Sequence, residues 1–446
     1  MTDSPPVIPR RQVFSWALWD WATQPFNTVI LSFIFVALYL TTDAFLPPEI
    51  AALGKGSPRY EAGLSDLATQ LGAAITIAGF LIAVLAPVLG QRTDASGRRK
   101  RSLAISTGLL VVSMALMLFV QAAPAFFVLG IALVAAGTVV SEIAGVTYNA
   151  MLVQVSTPRT IGRVSGLGWG FGYLGGIVAL VLVVVAYAFD WFGLATEQGL
   201  PFRLVALGSA IWTVLFSLPI FLNVPESTLS KPDRRVPFFA SYALLVQDVR
   251  RLFRENRATF WFLLASAVFR DGLAGVFTFG AVIAAQVFGF GFLDVVIFGI
   301  AANLLAGLST IVSGRFDDRF GPRAVIVTAL SGLVATGLGV FFLHDAGVLA
   351  FWVGGLLLTL FVGPAQAASR SLLARLAPHG REGEVFGLYA TTGRAASFLS
   401  PGLWTAFLAI FGATYWGILG IVIVIAAGLI LMLLVKLPAQ VRTHPA

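Results

Sequence analysis

Five ionisable residues stand inside long apolar stretches of this chain: Asp20, Glu142, Arg270, Asp271 and Arg394. A charge at the centre of a bilayer costs ~3 kcal/mol on insertion scales, so such a residue faces a cavity or a partner. Asp20, Gln24 and Asn27 fall at i, i+4 and i+7, one face of a helix. Glu142, Gly145 and Asn149 fall at i, i+3 and i+7, again one face. Each acid lies about six to eight residues from one end of its stretch, so at ~1.5 Å per residue the two share roughly one depth. Arg270 and Arg394 lie deeper, near the middle.

The signs divide by half of the chain. The first half offers two carboxylates and amides; the second offers two guanidinium groups and Asp271. A zwitterion such as an amino acid or short peptide finds a partner at each end: arginine grips a carboxylate bidentately, and Asp20 or Glu142 holds an ammonium. Burial raises the pKa of an unpaired carboxylate, so either acid can carry a coupling proton, Glu142 ranking ahead of Asp20. The alternatives are structural: Asp20 pins helix packing within the first half, and Arg270 and Arg394 are neutralised by Asp271 or neighbouring groups. Trp21, Tyr148, Trp169, Tyr173, Asn303, Gln366 and Arg370 complete a polar and aromatic lining.

Twelve apolar spans position these residues, near 14–41, 65–90, 102–121, 125–150, 162–189, 203–224, 258–287, 292–313, 323–343, 346–369, 383–411 and 414–436. A helix crosses the hydrocarbon core with about 20 apolar residues. Runs such as Ile75–Leu89 do not alternate, which excludes barrel strands. Of the 446 residues only 11% are charged and 58% are hydrophobic; a soluble chain carries ~25% charged residues. Ordinary soluble enzymes and disordered chains are both excluded. With no Cys and three His, all outside the long apolar runs, neither a thiol nucleophile nor a metal centre is indicated. No Walker-type phosphate loop and no Ser/His/Asp set occurs in the spans. The reading is a non-enzymatic membrane protein without a cofactor.

Basic residues set the orientation expected. With the N-terminus inside, 24 of the 29 Lys and Arg fall on the cytoplasmic side, Arg370 among them in the loop between the tenth and eleventh spans. Lys55, Arg59 and Arg203 fall outside, and Arg270 and Arg394 in the membrane. Both termini are expected in the cytoplasm and the chain in a bacterial inner membrane, with no cleavable leader. Juxtamembrane basic loops favour lipid over nucleic acid. Residues 225–257 divide the chain into an N-terminal bundle (1–224) and a C-terminal bundle (258–446). Within that linker Phe238, Tyr242, Leu245, Val249 and Leu252 recur at helical spacing, flanked by Arg250, Arg251, Arg254 and Arg257. This predicts an amphipathic helix on the inner leaflet, the alternative being a plain tether.

The halves repeat. Gly90, Asp94, Gly97 and Arg99 at the end of span two match Gly314, Asp318, Gly321 and Arg323 at the end of span eight. Gly162-Arg-Val-Ser-Gly166-Leu at span five matches Gly383-Glu-Val-Phe-Gly387-Leu at span eleven. The glycines allow close helix approach. Asp94 and Asp318, at helix ends among arginines, can pair in one conformation and part in another, biasing a two-state equilibrium; topology-setting by positive charge is the simpler alternative. The Gly-x-x-x-Asp-x-x-Gly-Arg98-Arg99 loop resembles the signature of the major facilitator superfamily. Trp16-Ala-Leu-Trp-Asp20-Trp21 and Gly162-Arg-Val-Ser-Gly-Leu-Gly-Trp169-Gly-x-Gly-Tyr173-Leu-Gly-Gly176 resemble its vacuole-effluxer-like, or unknown major facilitator, branch. The resemblance implies an all-α membrane fold of two pseudo-symmetric six-helix bundles. It also implies alternating access around a central cavity lined by spans one, four, seven, eight, ten and eleven, and amino-acid release as the branch's association. The family's signature Arg after the Asp is Ala95 in the first copy and Arg319 in the second, which implies a weaker charge clamp in the N half. The expected partners are a small polar or zwitterionic solute, the bilayer and a co-transported proton; the protein is expected to be a monomer. Export of drugs, lipids or other amphiphiles is the alternative transport reading, and a non-transporting solute sensor the alternative of another class.

Overall fold

A computed structural model describes residues 8–54, 57–189, 199–226, 240–290 and 292–437. Eleven helices among them are long and apolar enough to cross a membrane. The first span makes a twelfth. It is α-helical over Arg10–Pro25 and continues as π-helical turns over Phe26–Phe33 and Val36–Leu40. Pro25 explains the change, because proline has no N–H for the carbonyl four residues back. That carbonyl, of Trp21, accepts the Trp212 indole N–H of span six at 3.3 Å instead. Beyond Pro25 the chain takes up i→i+5 bonds such as Ile34 N–H to the Val29 carbonyl at 2.9 Å.

The N half continues with Pro58–Ser96, Arg99–Leu116, Phe127–Ala150, Ile161–Ala188 and Leu200–Asn223. A helix over Ala240–Glu255 follows, and Val249 and Leu252 of its stripe pack on the bundle while Arg250, Arg251 and Arg254 stay exposed. Phe238 of that stripe and Lys55 lie outside the described residues. The C half comprises Arg257–Gln286, Phe292–Phe320, Pro322–Phe342, Val348–Leu376, an eleventh span in two pieces and Trp416–Leu434. No strand occurs among the described residues. Large apolar side chains such as Phe80, Leu215, Leu222, Phe342 and Leu349 stay exposed on the outside, as lipid contact requires.

The eleventh span departs from expectation. It breaks into Glu382–Ala396 and Leu399–Phe411 because Pro401 cannot serve the Ser397 carbonyl. The second piece starts on a cap from span seven: Asp271 accepts the Ser400 N–H at 2.6 Å, and the Ser400 hydroxyl donates to the Asp271 carbonyl at 3.0 Å.

Two seams join the halves, span two against span eleven and span five against span eight. Both depend on glycine. A methyl carbon at Gly90 would stand 2.1 Å from the Gly383 carbonyl oxygen, and one at Gly314 2.7 Å from the Gly162 carbonyl oxygen. The repeated motifs therefore dock crosswise: the end of span two meets the start of span eleven, and the end of span eight meets the start of span five.

Candidate functional site: charge pairs between the halves

At the face where the basic loops gather, each repeated aspartate caps a helix of the opposite half. Asp94 accepts the Glu384 N–H at 2.9 Å; Asp318 accepts the N–H groups of Gly162 at 2.7 Å and Arg163 at 3.1 Å. A carboxylate on exposed N–H groups at a helix N-terminus is favoured by both the bonds and the dipole. Arg99 completes the first lock. Its side chain, 3% exposed, bridges Asp94 at 2.7 Å and Glu382 of span eleven, and donates to the Ala150 carbonyl at 3.0 Å. With Ala95 in the signature position, Arg99 supplies the clamp within the N half.

The second lock corrects an expectation. Arg319, the family's clamp residue in that copy, lies over the Phe320 ring at 5.2 Å. Asp318 pairs instead with Arg163 at 2.8 Å and Arg375 at 3.5 Å. Arg375 also holds Asp317 at 2.9 Å, and the Ser371 hydroxyl lies 3.1 Å from the same carboxylate. Gly97 and Gly321 take left-handed turns at the helix ends, with φ of 63° and 85°. Arg98 is exposed, and Arg323 donates to the Leu433 carbonyl of span twelve at 2.7 Å.

Further into the membrane two ion pairs cross between the halves. Arg370 lies within span ten, six residues before its end at Leu376, about 9 Å along the helix, and not in the following loop where charge counting put it. Its buried guanidinium reaches three spans of the N half. It meets Asp20 at 3.2 Å, Asn149 at 3.1 Å, the Ser165 hydroxyl at 3.0 Å and the Ser165 carbonyl at 2.6 Å. Trp16, Tyr148 and Trp169 rings lie 5.1, 5.7 and 5.5 Å from it, and Tyr148 donates to Asp20 at 3.2 Å. The second pair joins Arg394 to Glu142 at 3.1 Å, with side chains 36% and 33% exposed. Arg394 is twelve residues past the start of span eleven at Glu382, about 18 Å along it. Neither acid is unpaired, so both leading carboxylates already hold arginines of the other half.

The remaining residues of the expected lining separate. Arg270 turns into the C half, over the Tyr389 ring at 3.7 Å and onto its carbonyl at 3.0 Å. Asp271, its neighbour, caps span eleven and touches neither arginine pair. Asn303 donates to the Gly299 carbonyl of its own helix at 2.8 Å. Trp169 and Tyr173 face the seam, their rings 6.1 Å apart, and the Trp169 N–H and Tyr173 hydroxyl are buried without partners. Gln24 lies beside Gly172, Asn27 is exposed, and Gln366 is half-buried one turn before Arg370. Sequence reasoning missed Asp317, Arg375, Glu382 and Ser165. Asp317 doubles Asp318 and Glu382 precedes the Gly383 motif, so two of the four had a local signal.

Twelve apolar spans among the described residues, in two repeated halves locked crosswise at one face and bridged by charges within, make a membrane transporter rather than an enzyme. The chain belongs to the major facilitator superfamily, whose family model matches residues 26–401 and 303–446. It is 25% identical over 430 residues to the uncharacterized MFS-type transporter YxiO of Bacillus subtilis, covering 95% of this chain and 94% of that one. It is also 27% identical over 271 residues to autophagy-related protein 22 of Cryptococcus neoformans, covering 54% of this chain and 46% of that protein. This agrees with the branch read from the motifs of spans one and five. Among solved structures it resembles the human organic anion transporter MFSD10, with a TM-score of 0.71, 18% identity and coverage of 95% and 99%. It resembles the Escherichia coli fucose:proton symporter with a TM-score of 0.70, 14% identity and coverage of 96% and 98%. At such identities these two speak for the fold alone.

Proposed function

We propose that the chain carries a small polar or zwitterionic solute, amino acids first, by alternating access, with the basic face in the cytoplasm of a bacterial inner membrane. The observation that carries this reading is the Glu142–Arg394 pair, which ties span four to span eleven while keeping both side chains about one-third exposed. A buried charge without a partner is costly. A zwitterion brings both partners at once: its carboxylate replaces Glu142 on Arg394, and its ammonium replaces Arg394 on Glu142. The exchange leaves no charge unpaired and replaces the direct tie between the halves by a longer one through the cargo, so binding can shift the balance between the two states. We place proton coupling at Glu142 as well, since neutralising that carboxylate breaks the same pair. Asp20, held with Arg370 among three aromatic rings, is the second, more enclosed tie.

Counterflow in liposomes tests this. Purified protein preloaded with an unlabelled amino-acid mixture is expected to take up labelled amino acid, and Arg394→Gln to abolish that uptake. Glu142→Gln is expected to keep exchange and lose accumulation driven by a pH gradient. Undiminished uptake by Arg394→Gln would remove the site assignment.

A further inference from the structure

Arg370 holds Asp20 and Arg394 holds Glu142, whereas Arg270 makes no ion pair among the described residues. Asp271, beside it in sequence, stands about 100° round the helix and takes the Ser400 N–H at 2.6 Å. A guanidinium has five N–H donors. Arg270 gives one from Nη1 to the Tyr389 carbonyl at 3.0 Å and lies 3.7 Å over that ring. Its Nε and Nη2 have no partner among the described residues, and neither is enclosed. A charge in the middle of a span calls for a partner or a wet cavity.

The open side of Arg270 looks toward the N half. Trp261 and Leu264 form an exposed apolar face of span seven, and Arg270 stands about 180° round from Trp261. Arg270, Ala274 and Phe277 fall at i, i+4 and i+7, one face. Ala274 and Phe277 are exposed, and Phe277 stacks on Tyr173 of span five with centroids 6.2 Å apart. The same arginine adjoins the Glu142–Arg394 pair. A methyl carbon at Gly393, the residue before Arg394, would stand 3.1 Å from Arg270 Nη1. Arg270 is thirteen residues past the start of span seven at Arg257, and Arg394 twelve past the start of span eleven at Glu382, about 20 and 18 Å along. Two guanidinium groups thus meet one turn of span eleven at one depth.

Resting on the reading of a zwitterionic cargo at the Glu142–Arg394 pair, we propose that Arg270 receives a second carboxylate of that cargo, which makes the favoured class an acidic amino acid. The charges on the page carry this. Glu142, Arg394 and Arg270 together leave one positive charge in excess. A neutral zwitterion exchanges partners with the pair and leaves that excess standing. A zwitterion with an acidic side chain cancels it, and the two free nitrogens of Arg270 suit the two oxygens of a carboxylate. The Tyr389 ring and the missing side chain at Gly393 hold the guanidinium in place for it.

The test uses the full chain, in liposomes for flux and in detergent for Tm. L-glutamate and L-glutamine match in shape and differ by the charge in question. The parent is expected to show a KM for glutamate roughly 10- to 100-fold below that for glutamine, the contribution of a hydrogen bond between charged groups. Arg270→Gln should bring the two values together. Arg270→Lys, which keeps the charge without the fork, should keep part of the difference. Glutarate should raise the Tm of the parent and not that of Arg270→Gln. A lowered Tm in Arg270→Gln with the KM ratio unchanged would make the arginine structural and overturn the subsite. Glutarate binding that needs Arg270, without amino-acid flux, would uphold the subsite and overturn the zwitterion reading. Amino-acid flux with equal KM for glutamate and glutamine in the parent would overturn the subsite and leave that reading standing. Chloride or phosphate matching the glutarate effect through Arg270, with no preference for glutamate, would give the site to an inorganic anion and overturn it as a cargo subsite.

Discussion

Alanine at Gly90 tests whether the seam between the second and eleventh spans opens during function. The added carbon would stand 2.1 Å from the Gly383 carbonyl oxygen and 2.6 Å from its carbon. Ordinary C···O contacts lie at about 3.3–3.6 Å, and both obstructing atoms are backbone, so the helices must part by roughly 1.2 Å. The Asp94–Glu384 bond of 2.9 Å then stretches to about 4 Å, beyond hydrogen-bond range. A bond to a charged group contributes about 1.5–3 kcal/mol. The state closed at this face should lose that much, a shift of about 10- to 100-fold. The open state, in which the helices have already separated, should gain slightly from the better helix former.

Spin labels at Arg98→Cys and His379→Cys report the shift, since both positions are exposed on opposite halves and no native thiol competes. The Gly90→Ala variant should show a longer-distance population that is minor in the parent. Gly108→Ala, where the new carbon meets nothing within 4 Å, should match the parent. If Gly90→Ala gave the same distances as Gly108→Ala, the seam would not be a moving contact and the reasoning from its packing would fail.

Arg370→Ala should lower Tm more than Arg394→Ala, because it strands the enclosed Asp20, at about 3–5 kcal/mol, whereas Glu142 is one-third exposed; thermal unfolding in detergent reads the difference. Thr391→Val removes the hydroxyl that donates to the Ala83 carbonyl at 3.0 Å. It should move the labelled-distance equilibrium about 5-fold toward opening, for a bond of about 1 kcal/mol. Adding Pro87→Ala, which restores an N–H to that carbonyl, should moderate the loss of stability. Asp271→Ala should cost about 0.5–2 kcal/mol through the lost cap on Ser400, and Asp271→Asn should recover most of it; intact flux in the asparagine variant would mark Asp271 as structural.

What was legible in the sequence followed from local rules. Span number follows from run length, the docking motifs from their repetition, and the charged residues from the rarity of charge in lipid. Their partners were not legible, because Arg370 and Asp20 lie 350 positions apart and only the crosswise packing of the halves decides who meets whom. Asp20, Glu142, Arg270, Asp271 and Arg394 satisfied the same rule of intramembrane charge, yet the structure divides them. Two carboxylates cross to the other half, Arg394 meets Glu142, and Arg270 and Asp271 turn inward to a ring and a helix start. Helical spacing placed residues on a face but not the face against a neighbour. Arg370 was read as a lining residue but not as an intramembrane charge, because near a helix end charge counting for orientation assigned it to a loop.

The prolines of spans one and two link sequence to motion more directly than a kink does. Each leaves one carbonyl without its helical donor, and in both spans a side chain of another helix takes it. Trp212 bonds Trp21 within the N half, so that bond need not change as the halves move. Thr391 bonds Ala83 across the seam, one turn beyond Gly387, whose added carbon would stand 2.5 Å from Pro87 Cα. When spans two and eleven part, the Ala83 carbonyl loses the Thr391 donor and can regain no i+4 donor from its own helix, so water or cargo is the expected replacement. Glycine thus sets how closely this seam can approach, and proline places a polar site on it that is satisfied when it is shut. A transporter needs both states close in free energy. A contact with one exchangeable hydrogen bond and one steric stop serves that need better than a broad apolar interface, whose separation would cost in proportion to its area.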